Sequence, residues 1–188
     1  QSNINQFGAL AMAGCGSYSK IEGFGFIPVT CFSQALTTFI GQNLGAKEYD
    51  RTKKGALFGT ICGIGIAEVI GIAVFFFSPY LIAAFGGDQK AIEYGIAEAH
   101  TIALFYCLLA FSHCMAAIQR GAGRSIVPMF VMMIVWCGVR VTYISIVIRI
   151  IPVINVIYWA YPLTWFISSV IFLILFLKTD WIHGLEKQ

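Results

Sequence analysis

From Gly55 to Tyr80 the chain runs for a full membrane thickness with a single charged residue, Glu68. A helix needs roughly 20 apolar residues to cross a hydrocarbon core. Comparable stretches recur along the 188 residues, and we read six spans: A over 2–18, B over 26–45, C over 55–79, D over 94–118, E over 126–148 and F over 155–177. Strand-like alternation is absent over these lengths, which argues against a membrane β-barrel. The expected fold class is therefore all-α, a polytopic membrane bundle of six transmembrane helices. Composition agrees, since 59% of residues are hydrophobic and 11% charged, against about 25% charged in soluble domains. The chain opens with Gln-Ser-Asn, shows no signal-peptide pattern, and starts its first apolar segment late. The expectation is a piece cut from a longer protein.

Basic residues set the expected sidedness, because cytoplasmic loops of membrane proteins are enriched in Lys and Arg. Lys47, Arg51, Lys53 and Lys54 follow B, Arg120 and Arg124 follow D, and Lys178 and Lys187 follow F; the opposite connections hold Lys20, Lys90 and Arg149. This places the B–C and D–E loops and both ends of the chain in the cytoplasm, in a cell membrane. Tyr158, Trp159, Tyr161 and Trp165 gather at the outer start of F, as interfacial aromatics do. Pro28 and Pro128 are expected in first turns, Ser125 as the N-cap of E, and Pro162 as a kink or break in F.

Polar groups inside the spans mark where function can lie, because each needs a partner or water in an oily surrounding. In B, Thr30, Ser33, Gln34, Thr37, Thr38, Gly41, Gln42 and Gly45 form a stripe at helical spacing. The stripe is either a helix–helix contact or a cavity wall, and Thr30, Gln34, Thr37 and Thr38 are the predicted cavity residues. Asn5 belongs to a weaker polar-to-small face in A. Gly55, Gly59, Gly63, Ala67 and Gly71 make a small-residue stripe in C, suited to close packing. Glu68 in C is read either as a protonated buried acid or as the partner of Arg140 in E, a pairing that rests on their similar depth. Glu98 and His100 lie near the outer end of D, in reach of water, and His113 lies near its other end. These ionisable groups are read either as satisfied packing residues or as steps in a cation or proton path.

Other classes are disfavoured. The net charge of +3 is too small and dispersed for nucleic acid. The six cysteines lie in apolar stretches without CxxC, as small buried hydrophobes do. No HExxH, P-loop, GxSxG or dinucleotide fingerprint occurs, so no metal site, no cofactor and no soluble-type catalysis is expected. An intramembrane enzyme would need Glu68 and His113 around one water, and a passive channel would need a continuous pore.

The stretch FIPVTCFSQALTTFIGQNLGAKEYDRTKKG, with AAIQRGAGRSIVPM further on, resembles the multidrug and toxic compound extrusion (MATE) transporters. NINQFGALAMAG and YPLTWFISSVIFLILF resemble helices of the second half of a bacterial member. The resemblance implies one six-helix lobe of a twelve-helix, pseudo-two-fold transporter, the N-terminal lobe being absent. It implies export of amphipathic, often cationic drugs, driven by Na⁺ or H⁺ through alternating access, with the bilayer and the missing lobe as partners. Gln42, Asn43, Gly45, Ala46, Arg51, Arg120 and Gly121 are then cytoplasmic gate and fold determinants. Some relatives carry acids in the core of this lobe as a cation site, whereas the expected spans A and B contain none. A flippase of lipid-linked oligosaccharide, from the same superfamily, is the second reading and would need a strongly cationic lumen.

Overall fold

The computed structural model describes residues 4–182. After a 3-10 turn at Asn5–Phe7, the described chain is helical almost throughout: α1 (Ala9–Gly45), α2 (Tyr49–Ala84), α3 (Gln89–Ile102), α4 (Tyr106–Gly121), α5 (Ile126–Met132), α6 (Arg140–Ile150) and α7 (Asn155–Lys178). A 3-10 turn at Ala103–Phe105 joins α3 to α4, and a π-helical segment at Met133–Val139 joins α5 to α6. These elements make five apolar rods long enough to cross a membrane. The all-α membrane bundle is thus confirmed with five crossing helices in the described residues instead of six.

The difference lies in α1. Spans A and B, separated in the sequence reading by a connection holding Lys20 and Glu22, are one uninterrupted helix of 37 residues, with Pro28 in its interior. In oil every backbone group must be bonded within its own segment, and a single Pro is tolerated where neighbouring helices hold the rod. Lys20 is accommodated by extending over the Phe85 ring, 5.3 Å from its centroid. The charged run after B is also mostly helix, because α2 begins at Tyr49.

Among the described residues, the first 3-10 turn and Trp181 lie at opposite ends of the bundle. Ala11 and Cys15 cluster with Ile154 and Tyr158 at the far end. Leu44, Ala56, Ile118 and Trp181 cluster at the basic end, beside the connections 46–48 and 122–125.

α4 occupies the middle, packed against α1, α2 and α7, and six consecutive residues, Cys114 to Gln119, are buried. A helix hidden on all sides belongs at the centre of a bundle. Ser112 bridges to Ser168 and Ser169 of α7 at 2.9 and 3.0 Å. The small-residue stripe of α2 works as expected: a Cβ at Gly71 would collide with the Ala103 carbonyl, and one at Gly59 would press into Leu36. Gly123 (φ +77°) makes the turn after α4. Ser125 precedes α5 without a side-chain capping bond, and α7 runs unbroken through Pro162.

Candidate functional site

The far half of α1 carries Cys15, Ser19, Glu22 and Phe26 at three- and four-residue spacing, so they share one face. Ser19, Glu22 and Phe26 line a cavity of about 230 Å³ closed by Leu109 of α4, Trp136, Arg140, and Tyr161 and Trp165 of α7. The π-helical segment ends immediately before Arg140 and carries Trp136, four residues earlier, into the same cavity. Such wide turns recur at functional sites because they re-aim side chains.

Arg140 is tightly held. Its Nε and Nη2 donate to Thr164 Oγ1 at 3.1 and 2.7 Å. Its guanidinium stacks over Tyr161, 4.3 Å from the centroid, and lies 5.8 Å from that of Trp136. Glu22 faces the same space within electrostatic reach of Arg140, without a direct ion pair among the described residues. A fixed cation, an acid without a hydrogen bond among the described residues and aromatic walls therefore meet in one partly open chamber. An acid so placed can exchange a small cation or a proton, and aromatic faces can receive an organic cation.

The polar column continues both ways along α1. Toward the far end, Tyr18 and Tyr106 share a hydrogen bond of 3.1 Å. Beyond them Cys15 contacts Tyr158 Oη at 3.6 Å, and that hydroxyl donates to the Tyr94 carbonyl. Glu98 sits beside Cys15 and is 3% exposed, with no hydrogen-bond partner for Oε2 among the described residues. It is buried among α1, α3 and α7, not in reach of water as expected. Toward the basic end, His113 lies edge-on to Phe26 at 4.9 Å and 5.4 Å from Trp136, with Nε2 unpartnered. Ser33 Oγ donates to the His113 carbonyl and accepts from Arg120 Nη2 at 3.2 Å.

Other expected site residues fall elsewhere. Glu68 does not meet Arg140: its Oε2 accepts the Cys107 N–H at 3.1 Å, at the start of α4. The 3-10 turn frees that N–H, and a carboxylate at a helix N-terminus is favoured by its dipole. The stripe of span B divides, because positions 33 and 34 lie about 100° apart on a helix. Ser33, Thr37 and Gly41 turn toward α4, with Thr37 Oγ1 on the Ala117 carbonyl and Gly41 beside Gly121. Gln34, Thr38 and Gln42 are exposed, and Thr30 is half-buried with its hydroxyl on the Ile27 carbonyl. None of the four predicted cavity residues lines the Glu22 chamber. Asn5 is exposed in the first 3-10 turn, and His100 is exposed and stacked on Phe75. Asn43 is buried with its amide on the Phe39 carbonyl, Gly45 ends α1, and Arg51 lies over the Phe39 ring at 6.0 Å. Glu22 itself was missed as a site residue, although its register with Ser19 and Phe26 carried the signal.

Residues 2–146 match the MatE family. The chain is 30% identical over 130 residues to "Probable multidrug resistance protein NorM" of Thermotoga maritima, covering 69% of this chain and 28% of that protein. It is 24% identical over 144 residues to "Probable multidrug resistance protein YoeA" of Bacillus subtilis, covering 74% and 30%. The chain thus spans less than a third of these relatives. Among solved structures, "MATE transporter ClbM in complex with Rb+" superposes with a TM-score of 0.84 at 18% identity, over 94% of this chain and 42% of that one. The five rods, the sequence match over most of the chain and the shared fold lead to one assignment: the chain belongs to the MatE family of transporters.

Proposed function

We propose that this chain works as one lobe, the C-terminal one, of a secondary active exporter. Amphipathic and often cationic organic compounds leave in exchange for Na⁺ or H⁺ as two lobes alternate their opening. The basic end, with Lys47 to Lys54, Arg120, Arg124 and Lys178, faces the cytoplasm, as the excess of positive charge there supports. The exposed amides and hydroxyls of Gln34, Thr38 and Gln42 need polar company in a membrane, and a second lobe across a wet cleft supplies it.

The observation that carries the reading is the Glu22 chamber. An acid and an arginine lining one aromatic cavity set up a competition: a coupling ion on Glu22 and an organic cation against the aromatic walls repel each other, so binding of one favours release of the other. The relatives named as multidrug resistance proteins support export, and the alkali cation in the name of the structural neighbour supports a cation as the coupling species. Glu22, Ser19 and Tyr161 supply oxygen atoms of the hard type that Na⁺ takes, while a proton needs Glu22 alone. The flippase reading fits less well, because Arg140 is tied to Thr164 and opposed by Glu22, which leaves no strongly cationic lumen.

The test is ethidium efflux by the full-length protein in vesicles, under a Na⁺ gradient and, separately, a H⁺ gradient, comparing wild type with Glu22→Gln. Loss of gradient-driven efflux with folding intact supports the proposal. Unchanged efflux under both gradients rules Glu22 out as the coupling group.

A further inference from the structure

The face of α4 turned away from the Glu22 chamber borders a second, different space. Leu109 and His113 face α1 and the chamber, whereas Phe111, Met115 and Ile118 lie roughly 180–240° around the helix from Leu109. They form the floor of a furrow of about 520 Å³ at the basic end, walled by α2 and α7 and closed at its base by Trp181. The lining is almost wholly apolar, and Lys53 is its one charged member. The walls open outward: Leu57 is 66% and Leu177 74% exposed, as lipid-facing residues are.

We propose that this furrow holds an acyl chain of an anionic phospholipid of the basic-end leaflet, with its phosphate on the Lys53 ammonium. Three features select that occupant. Lys53 stands four residues, about 6 Å along the axis, beyond Leu57 toward the end of the rod, the depth of headgroups relative to tails. Its charge complements a lipid phosphate and repels the organic cations proposed as cargo. Trp181, buried and stacked on Phe176 with centroids 5.2 Å apart, closes the furrow just past the end of α7, where the chain leaves the apolar rod. The furrow reaches from Lys53 to Thr60 along α2, about 10 Å, room for part of a fatty chain. A lipid here wedges α2 and α7 against α4, on the side opposite the transport chamber.

The full-length protein is reconstituted in phosphatidylcholine vesicles doped with phosphatidylglycerol that carries a diazirine on its acyl chain. Illumination is expected to label Leu57, Met115 or Leu177. Lys53→Gln, at an exposed position that leaves packing intact, lowers labelling by phosphatidylglycerol about fivefold and leaves labelling by an equivalent phosphatidylcholine probe unchanged. Met115→Trp, which fills the floor, removes both. Labelling that ignores Lys53→Gln overturns the proposal. So does occupation of the furrow by a photoreactive ethidium analogue, by another segment of the polypeptide or by a second copy, detected as the corresponding cross-link to Leu57 or Met115.

Discussion

Glu22 and Glu68 are both acids inside apolar helices, yet their surroundings differ in kind. The Glu68 carboxylate is occupied by the Cys107 amide at the point where α4 restarts after its 3-10 turn. Among the described residues the Glu22 carboxylate has no such bond; it lines a cavity shared with a clamped arginine. The first arrangement completes a helix end, and the second leaves a charge ready to change partners. Hydrogen-bond satisfaction, more than depth in the membrane, separates the structural acid from the one we propose as functional.

The contrast can be broken most sharply at Glu22. Glu22→Gln should lower gradient-driven ethidium efflux by at least about tenfold while the melting temperature in detergent stays near that of wild type; a large loss of stability with efflux per folded molecule intact would reverse the two roles. Arg140→Lys keeps the charge but loses the fork on Thr164 and the stacking on Tyr161. We expect efflux to fall about fivefold and the apparent affinity for organic cations to change with it, measured as the concentration giving half-maximal transport. Glu68→Gln should change efflux per folded molecule by less than about twofold and lower stability by about 1–2 kcal/mol, through the weakened bond to Cys107; thermal unfolding followed by cysteine reactivity would show it. Smallest is Tyr18→Phe, which removes the hydroxyl partner of Tyr106 and should cost about 1 kcal/mol, with the coupling ratio of ions to ethidium as the control.

Much of this architecture was legible in the chain itself. The apolar lengths located α2, the α3–α4 rod, the α5–α6 rod and α7, and the glycine spacing identified the packed face of α2. The continuity of α1 was not legible. Gly23 and Gly25 are residues that turns favour, and the charges of Lys20 and Glu22 interrupt the apolar run, so local pattern indicates a break there. Inside a bundle the cost of unbonded backbone overrides that preference. Missing the continuity concealed Glu22, because an acid in a loop needs no explanation while an acid within a rod does. The partner of Glu68 was hidden for another reason: the amide it bonds becomes available through the irregular turn at Ala103–Phe105, which no periodicity announces. The burial of Glu98 likewise depends on Cys15 and Tyr158, brought beside it from 83 and 60 residues away in sequence. The division of the Thr30–Gly45 stripe follows from helical geometry alone, but only the position of α4 decides which half is covered.

The unbroken course of α1 would let a chemical event at Glu22 become a displacement. The helix is about 55 Å long, and Glu22 stands some 23 residues, or about 35 Å, from Gly45. A tilt of about 10° pivoting near Glu22 would swing Gly45 by about 6 Å, a little more than one helical turn's height. If the rod tilts as one piece through Pro28, a change in what the proposed coupling carboxyl holds would reach the Gln42–Gly45 tip as leverage, where the passage toward the basic side would open or shut.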